Sequence, residues 1–217
     1  MTTYREKEQE VARRLRACRV VPVLALESVE DGLRLAEVLC RAGLPVAEIT
    51  FRTTAAAAVI QAVTKAFPQM YVGAGTVLTV ADLHRAFDAG AAFAVAPGFN
   101  PTVVREAVAC GLPFSPGVSC PTHIEQAVEL GPRLLKFFPA EAAGGVKMLN
   151  AMIPPYRHLG IEIMPTGGIN PGNMVSYLAI PQVVAVGGTW LGAAADIKAG
   201  RWDEIEKTIR ETVAQTK

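Results

Sequence analysis

Short apolar runs rich in β-branched residues recur along this chain about every twenty residues, and segments of helical periodicity separate them, an alternation that leaves few architectures open. The runs cover residues 20–26, 46–51, 70–74, 92–96, 113–118, 134–138, 161–164 and 183–186. Between the first two, Leu35, Val38 and Leu39 share one helical face ahead of a stop at Gly43. Strands that alternate with helices pair in parallel through crossover connections. Eight such units within 217 residues predict an α/β fold, a single closed (β/α)8 TIM barrel rather than an open doubly wound sheet. An extra helix is expected over residues 4–17, where Val11 and Leu15 stand four apart on a charged segment, so residues 1–18 would cap the bottom of the barrel. No Ser- or Pro-rich linker interrupts the pattern, which makes residues 1–217 one domain.

Charge narrows the function. Lys and Arg number 21 against 20 Asp and Glu, a net charge of +1, so nothing marks a nucleic-acid or membrane partner and any anion must be recognised locally. The first sixteen residues carry Arg5, Glu6, Lys7, Glu8, Glu10, Arg13, Arg14 and Arg16 instead of the apolar core of a secretory signal. A cytoplasmic location is expected. Cys18, Cys40, Cys110 and Cys120 form no CxxC pair and read as reduced thiols. His84, His123 and His158 lack the i, i+4 spacing of a helical metal site, so no metal is expected. His123 reads as exposed, and Trp190 and Trp202 as packing residues.

The strands contain charges that a core would exclude. In residues 46–52 the period of two sends Ala47, Ile49 and Phe51 to one face and Glu48, Thr50 and Arg52 to the other. The apolar set must meet the helices, so Glu48 and Arg52 point into the barrel near its top. The same parity in residues 134–138 directs Lys136 inward with Leu134 and Phe138. A buried ion pair that merely closes the barrel is the competing explanation, but the available chemistry favours function. Desolvation disfavours an ammonium, and a free lysine amine attacks a ketone to give a Schiff base. The iminium then withdraws electrons from a neighbouring carbon–carbon bond without metal or organic cofactor, provided a base such as Glu48 moves the proton.

Gly and Pro cluster at the carboxyl ends of the predicted strands, the rim where barrel enzymes place their chemistry. Gly167-Gly168 and Gly187-Gly188-Thr189 end the seventh and eighth strands, where a barrel presents backbone N–H groups to phosphate. Arg52 could hold a carboxylate through paired hydrogen bonds, with the Thr76 hydroxyl as a second donor.

The motifs Glu48-Ile49-Thr50-Phe51-Arg52-Thr53, Gly73-Ala74-Gly75-Thr76-Val77, Lys136-Phe137-Phe138-Pro139-Ala140-Glu141, Pro165-Thr166-Gly167-Gly168-Ile169 and Gly187-Gly188-Thr189-Trp190-Leu191 resemble those of the 2-keto-3-deoxy-6-phosphogluconate (KDPG) and 2-keto-4-hydroxyglutarate (KHG) aldolases. The resemblance runs from about Val20 to Leu191 in the same order. It implies a cofactor-free class I aldolase that splits KDPG into pyruvate and glyceraldehyde 3-phosphate in the Entner–Doudoroff route, acts also on KHG, and assembles as a homotrimer. Lys136 would then be the Schiff-base lysine and Glu48 the acid/base acting through a water. Arg52 and Thr76 would hold the pyruvyl carboxylate, and Pro97 and Phe138 would wall the imine. Thr166 would lie between the substrate's ends, with Gly167, Gly168, Gly188 and Thr189 as the phosphate pocket. Thr189 replaces the family's commoner Ser and keeps the hydroxyl; Ala143 replaces an Asn with no consequence that the sequence shows. Thr166 further implies a preference for the gluconate-derived over the galactonate-derived acid.

Two alternatives stand beside this reading. A phosphate-binding barrel isomerase or epimerase would share the glycine pairs but has no use for an inward lysine. A catalytically idle or engineered barrel serving as an assembly scaffold would not need Glu48, Arg52 and Lys136 together.

Overall fold

A computed structural model describes residues 2–216. Its strands are β1 (Val20–Leu24), β2 (Val46–Thr50), β3 (Tyr71–Gly75), β4 (Phe93–Val95), β5 (Phe114–Ser115), β6 (Gly117–Val118), β7 (Leu134–Phe137), β8 (Glu162–Pro165) and β9 (Val186–Gly188). The principal helices are α1 (Tyr4–Cys18), α2 (Val29–Arg41), α3 (Ala56–Ala66), α4 (Val80–Asp88), α5 (Pro101–Cys110), α6 (Pro121–Leu130), α7 (Gly145–Met152), α8 (Met174–Leu178), α9 (Ala194–Lys198) and α10 (Trp202–Gln215). Every strand pairing is parallel.

The strands form two curled sheets, ordered β5-β4-β3-β2-β1-β9 and β6-β7-β8, instead of the one uninterrupted eight-stranded sheet expected. The division falls at two seams. Pro116 has no N–H to give to a ladder, so the predicted fifth strand is broken into β5 and β6 on either side of it. At the other seam β8 meets the β9 segment only through isolated bridges, Ile163 to Val183 and Thr166 to Gly187.

Helices form where the periodicity indicated. Leu35, Val38 and Leu39 of α2 are fully buried, each contributing about 1.5–3 kcal/mol by leaving water. Ser28 caps that helix by accepting from the Asp31 N–H at 3.1 Å. The extra helix α1 has a Thr3/Glu6 capping box and buries Val11 and Leu15. It also buries Glu8, whose Oε1 accepts from the Arg133 and Leu134 amides at 2.7 and 3.0 Å while Arg5 pairs with the same carboxylate. Leu134 opens β7 and Arg133 immediately precedes it, so α1 fixes the lower end of the strand that carries Lys136. Among the described residues, no helix is long and apolar enough to cross a membrane.

Candidate active site

The strand parity places the site. Ala47 and Ile49 are buried toward the helices, and Phe51, half-buried, meets α4 through the Arg85 guanidinium 5.2 Å above its ring. On the opposite face Glu48 and Lys136, 0% and 4% exposed, form an ion pair in which Nζ donates to Oε1 at 2.9 Å and to Oε2 at 3.2 Å. Burying two charges is costly, and this pair is compensated by its own two hydrogen bonds. The Phe138 ring centroid lies 5.9 Å from Nζ, giving the ammonium an aromatic wall.

All eleven residues singled out in the sequence line one cavity of about 330 Å3 at the carboxyl ends of the strands. Lys136 and Glu48 line it together with Arg52, Thr76, Pro97, Phe138, Thr166, Gly167, Gly168, Gly188 and Thr189. The volume falls in the range of small-ligand clefts. Val23, Thr50, Ile169 and Gly187 line it too; of these the sequence places Gly187 in the eighth strand's turn and Thr50 on the inward face, with no role in the site for either, and passes over Val23 and Ile169. Thr50 was legible by parity with Glu48; Val23, on an all-apolar strand, gave no signal.

Local backbone chemistry sets each position. Thr50 Oγ1 donates to the Leu24 carbonyl at 2.9 Å and accepts from Arg52 Nε at 3.3 Å, so a buried hydroxyl aims the exposed guanidinium at the mouth. Thr76 follows the last residue of β3 with φ +55, a left-handed conformation that a β-branched side chain adopts only under strain. The Pro97 wall is held by Gly117, which donates to the Gly98 carbonyl at 3.0 Å and whose lack of a side chain admits the loop. After β8, Gly167 and Gly168 turn with φ +103 and +77. Thr166 Oγ1 is buried in the cavity wall with no hydrogen-bond partner among the described residues. A buried hydroxyl left so is costly unless something else satisfies it.

Residues set aside in the sequence are also accounted for. His123 is half-buried rather than exposed: its Nδ1 accepts from the Ser119 amide at 3.4 Å and its ring stacks on Phe99. Trp190 packs where a Gly188 side chain would be and donates to Thr212 Oγ1 at 3.2 Å. The four cysteines carry free thiols, and burial pushes those of Cys18 and Cys40 up from their ordinary values.

An amine and a carboxylate paired in a cavity at the carboxyl ends of parallel strands, with a guanidinium and a glycine turn in its lining, can serve many carbonyl reactions, and comparison with known proteins narrows the field. A family model described as KDPG and KHG aldolase matches residues 11–208. Over 205 residues the chain is 46% identical to the 2-dehydro-3-deoxy-phosphogluconate aldolase of Haemophilus influenzae, covering 94% of this chain and 96% of that one. A crystal structure of KDPG aldolase from Legionella pneumophila, with pyruvate captured at low pH as a covalent carbinolamine intermediate, has a TM-score of 0.88 at 35% identity over 93% of this chain and 97% of that one. The corresponding aldolase of Zymomonas mobilis with 3-phosphoglycerate has a TM-score of 0.87 at 35% identity, over 95% and 96%. Matches of this extent span every strand that supplies the cavity, and the chain belongs to the KDPG and KHG aldolase family.

Proposed function

We propose that this chain is a class I aldolase that cleaves KDPG to pyruvate and glyceraldehyde 3-phosphate, and KHG to pyruvate and glyoxylate. The buried Lys136–Glu48 pair in the cavity's lining carries the reading. Transfer of the ammonium proton to Glu48 frees the amine, which adds to the C2 ketone to give a carbinolamine. Glu48 returns that proton to the carbinolamine hydroxyl, which leaves as water to give the iminium, and the carboxylate is free to act again. Glu48, acting through a water, takes the proton of the C4 hydroxyl; the C3–C4 bond breaks, its electrons entering the iminium to form an enamine as the aldehyde departs. Protonation of the enamine at C3 and hydrolysis of the imine release pyruvate and restore the amine.

Arg52 and Thr76 hold the carboxylate beside C2, and Pro97 and Phe138 exclude water from the imine. At the far end Gly167, Gly168, Gly188 and Thr189 receive the phosphate, while the Thr166 hydroxyl donates to a substrate hydroxyl between the two ends. The pyruvate adduct described for the Legionella relative and the phosphorylated ligand of the Zymomonas relative support these two halves. We further read the two sheets as one closed eight-stranded barrel and residues 1–217 as one domain of a cytoplasmic homotrimer, whose mass in solution would be three times the 23.0 kDa of one chain.

Cleavage of KDPG by the purified protein in the presence of a chelator, followed by release of pyruvate, tests the activity. Interconversion of phosphorylated sugars without pyruvate would favour the isomerase alternative instead.

A further inference from the structure

Two residues beside the phosphate end have no part in the chemistry above. Glu141 lies in the turn after β7, and Tyr177 lies on α8 with its ring fully buried. The Tyr177 hydroxyl donates to Glu141 Oε1. Two glycines in left-handed conformation make room for the pair. A Cβ on Gly168, at φ +77, would fall 2.7 Å from the Glu141 Cβ. One on Gly145, at φ +59, would fall 3.1 Å from the tyrosine hydroxyl and 3.3 Å from Glu141 Oε1. The backbone links the same segments, since the amides of Ala140 and Glu141 donate to the carbonyls of Thr166 and Gly167 at 2.8 and 3.0 Å. From the other side Asn173 Nδ2 donates to the Gly168 carbonyl at 3.1 Å. The Gly167–Gly168 turn is therefore gripped from two sides, and on one of them the grip ends at Tyr177.

We propose that Tyr177, acting through Glu141, is a positioning residue for the phosphate end of the site. The proposal rests on the reading of Gly167, Gly168, Gly188 and Thr189 as the phosphate pocket. Backbone N–H groups recognise an anion only along a narrow range of directions, so a turn that must receive phosphate needs its peptide planes fixed. Glu141 packs directly against Gly168, and without the tyrosine its side chain would be free to change rotamer and release that contact. Burial first, and then the Glu141 carboxylate, push the Tyr177 phenol well above its ordinary value, so the hydroxyl stays a donor at neutral and mildly alkaline pH.

Tyr177→Phe removes the hydroxyl alone. Steady-state kinetics on KDPG and KHG, with inorganic phosphate as a competitive inhibitor of KDPG cleavage, would be compared for this variant, for Thr189→Asp and for the unaltered chain. Tyr177→Phe is expected to raise both the KM for KDPG and the phosphate inhibition constant about 3–10-fold, the range of one hydrogen bond. Its kcat should remain within about twofold and KHG cleavage should not change, because KHG has no phosphate to misplace. Glu141→Gln, which keeps an acceptor oxygen for the tyrosine, should lie closer to the unaltered chain than Glu141→Ala. Equal losses on both substrates, or an unchanged KM and inhibition constant, overturn the positioning role. Should Thr189→Asp lose KDPG selectively while Tyr177→Phe does not, only this inference fails. Should Thr189→Asp impair both substrates equally, the phosphate pocket fails and the inference with it.

Discussion

Gly75 is bare because Glu48 stands where its side chain would be: a Cβ there would fall 2.3 Å from Oε1 and 2.7 Å from Cγ of the glutamate. The two sit on neighbouring parallel strands, with Thr50 opposite Gly75 and Glu48 opposite Gly73. The carboxylate reaches Lys136 across the space that the glycine leaves. Gly75→Ala should therefore displace the acid/base without touching it, lowering kcat by about tenfold or more while imine formation with pyruvate persists. Kinetics beside adduct mass spectrometry would check this, and an unchanged kcat would show that Glu48 does not need its present place.

Thr76 holds a left-handed backbone at the cavity rim. Strain of that kind costs on the order of 1–2 kcal/mol, and glycine would relieve it against an entropic loss of about 0.5–1 kcal/mol. Thr76→Gly should leave thermal stability unchanged or slightly raised while weakening substrate binding, since a carboxylate donor is gone. A Tm that falls by several degrees would mean that the threonine is there for packing.

Thr189 is exposed, so a charge there disturbs no core, whereas any side chain at Gly188 must displace the Trp190 ring. Thr189→Asp is expected to raise the KM for KDPG about tenfold or more through repulsion of the phosphate, with KHG cleavage and Tm nearly unaffected. Equal effects on the two substrates would place the phosphate elsewhere.

The Thr166 hydroxyl is buried without a partner among the described residues, so Thr166→Val should leave the stability of the fold unchanged or raise it. Its effect belongs to specificity. The ratio of kcat/KM for the gluconate-derived over the galactonate-derived acid should fall about 2–10-fold, the worth of one hydrogen bond to a neutral group. A ratio that does not move, or that favours the galactonate epimer from the start, would leave Thr166 without this role.

What could be read from the chain beforehand divides along physical lines. Period-two alternation in a parallel strand assigns faces, which is why Glu48, Thr50, Arg52 and Lys136 could be directed inward before any coordinates. Helix faces are equally local, as Leu35, Val38 and Leu39 illustrate. The break at Pro116 was visible as a residue, but whether a proline ends a strand or only nicks it depends on the neighbouring strand's register. Glu8 and Tyr177 were illegible for a different reason. Each acts by a hydrogen bond across long sequence separation, to Leu134 and to Glu141, and no periodicity reports such a partner.

The central claim is that the Lys136 amine forms the imine. Incubation of the protein with pyruvate and borohydride, followed by peptide mass spectrometry, reads it directly. Lys7, Lys65, Lys147, Lys198 and Lys207 lie on α1, α3, α7, α9 and α10, and Lys217 lies outside the described residues. A single reduced pyruvyl adduct on Lys136 is expected, with activity lost in step and no effect of chelators. Lys136→Arg should give no adduct and no cleavage in a folded protein, because arginine stays charged. Glu48→Gln should slow turnover about 10²–10⁴-fold yet retain some adduct. An adduct on another lysine, or activity abolished by chelation and not by borohydride, would contradict the Schiff-base mechanism.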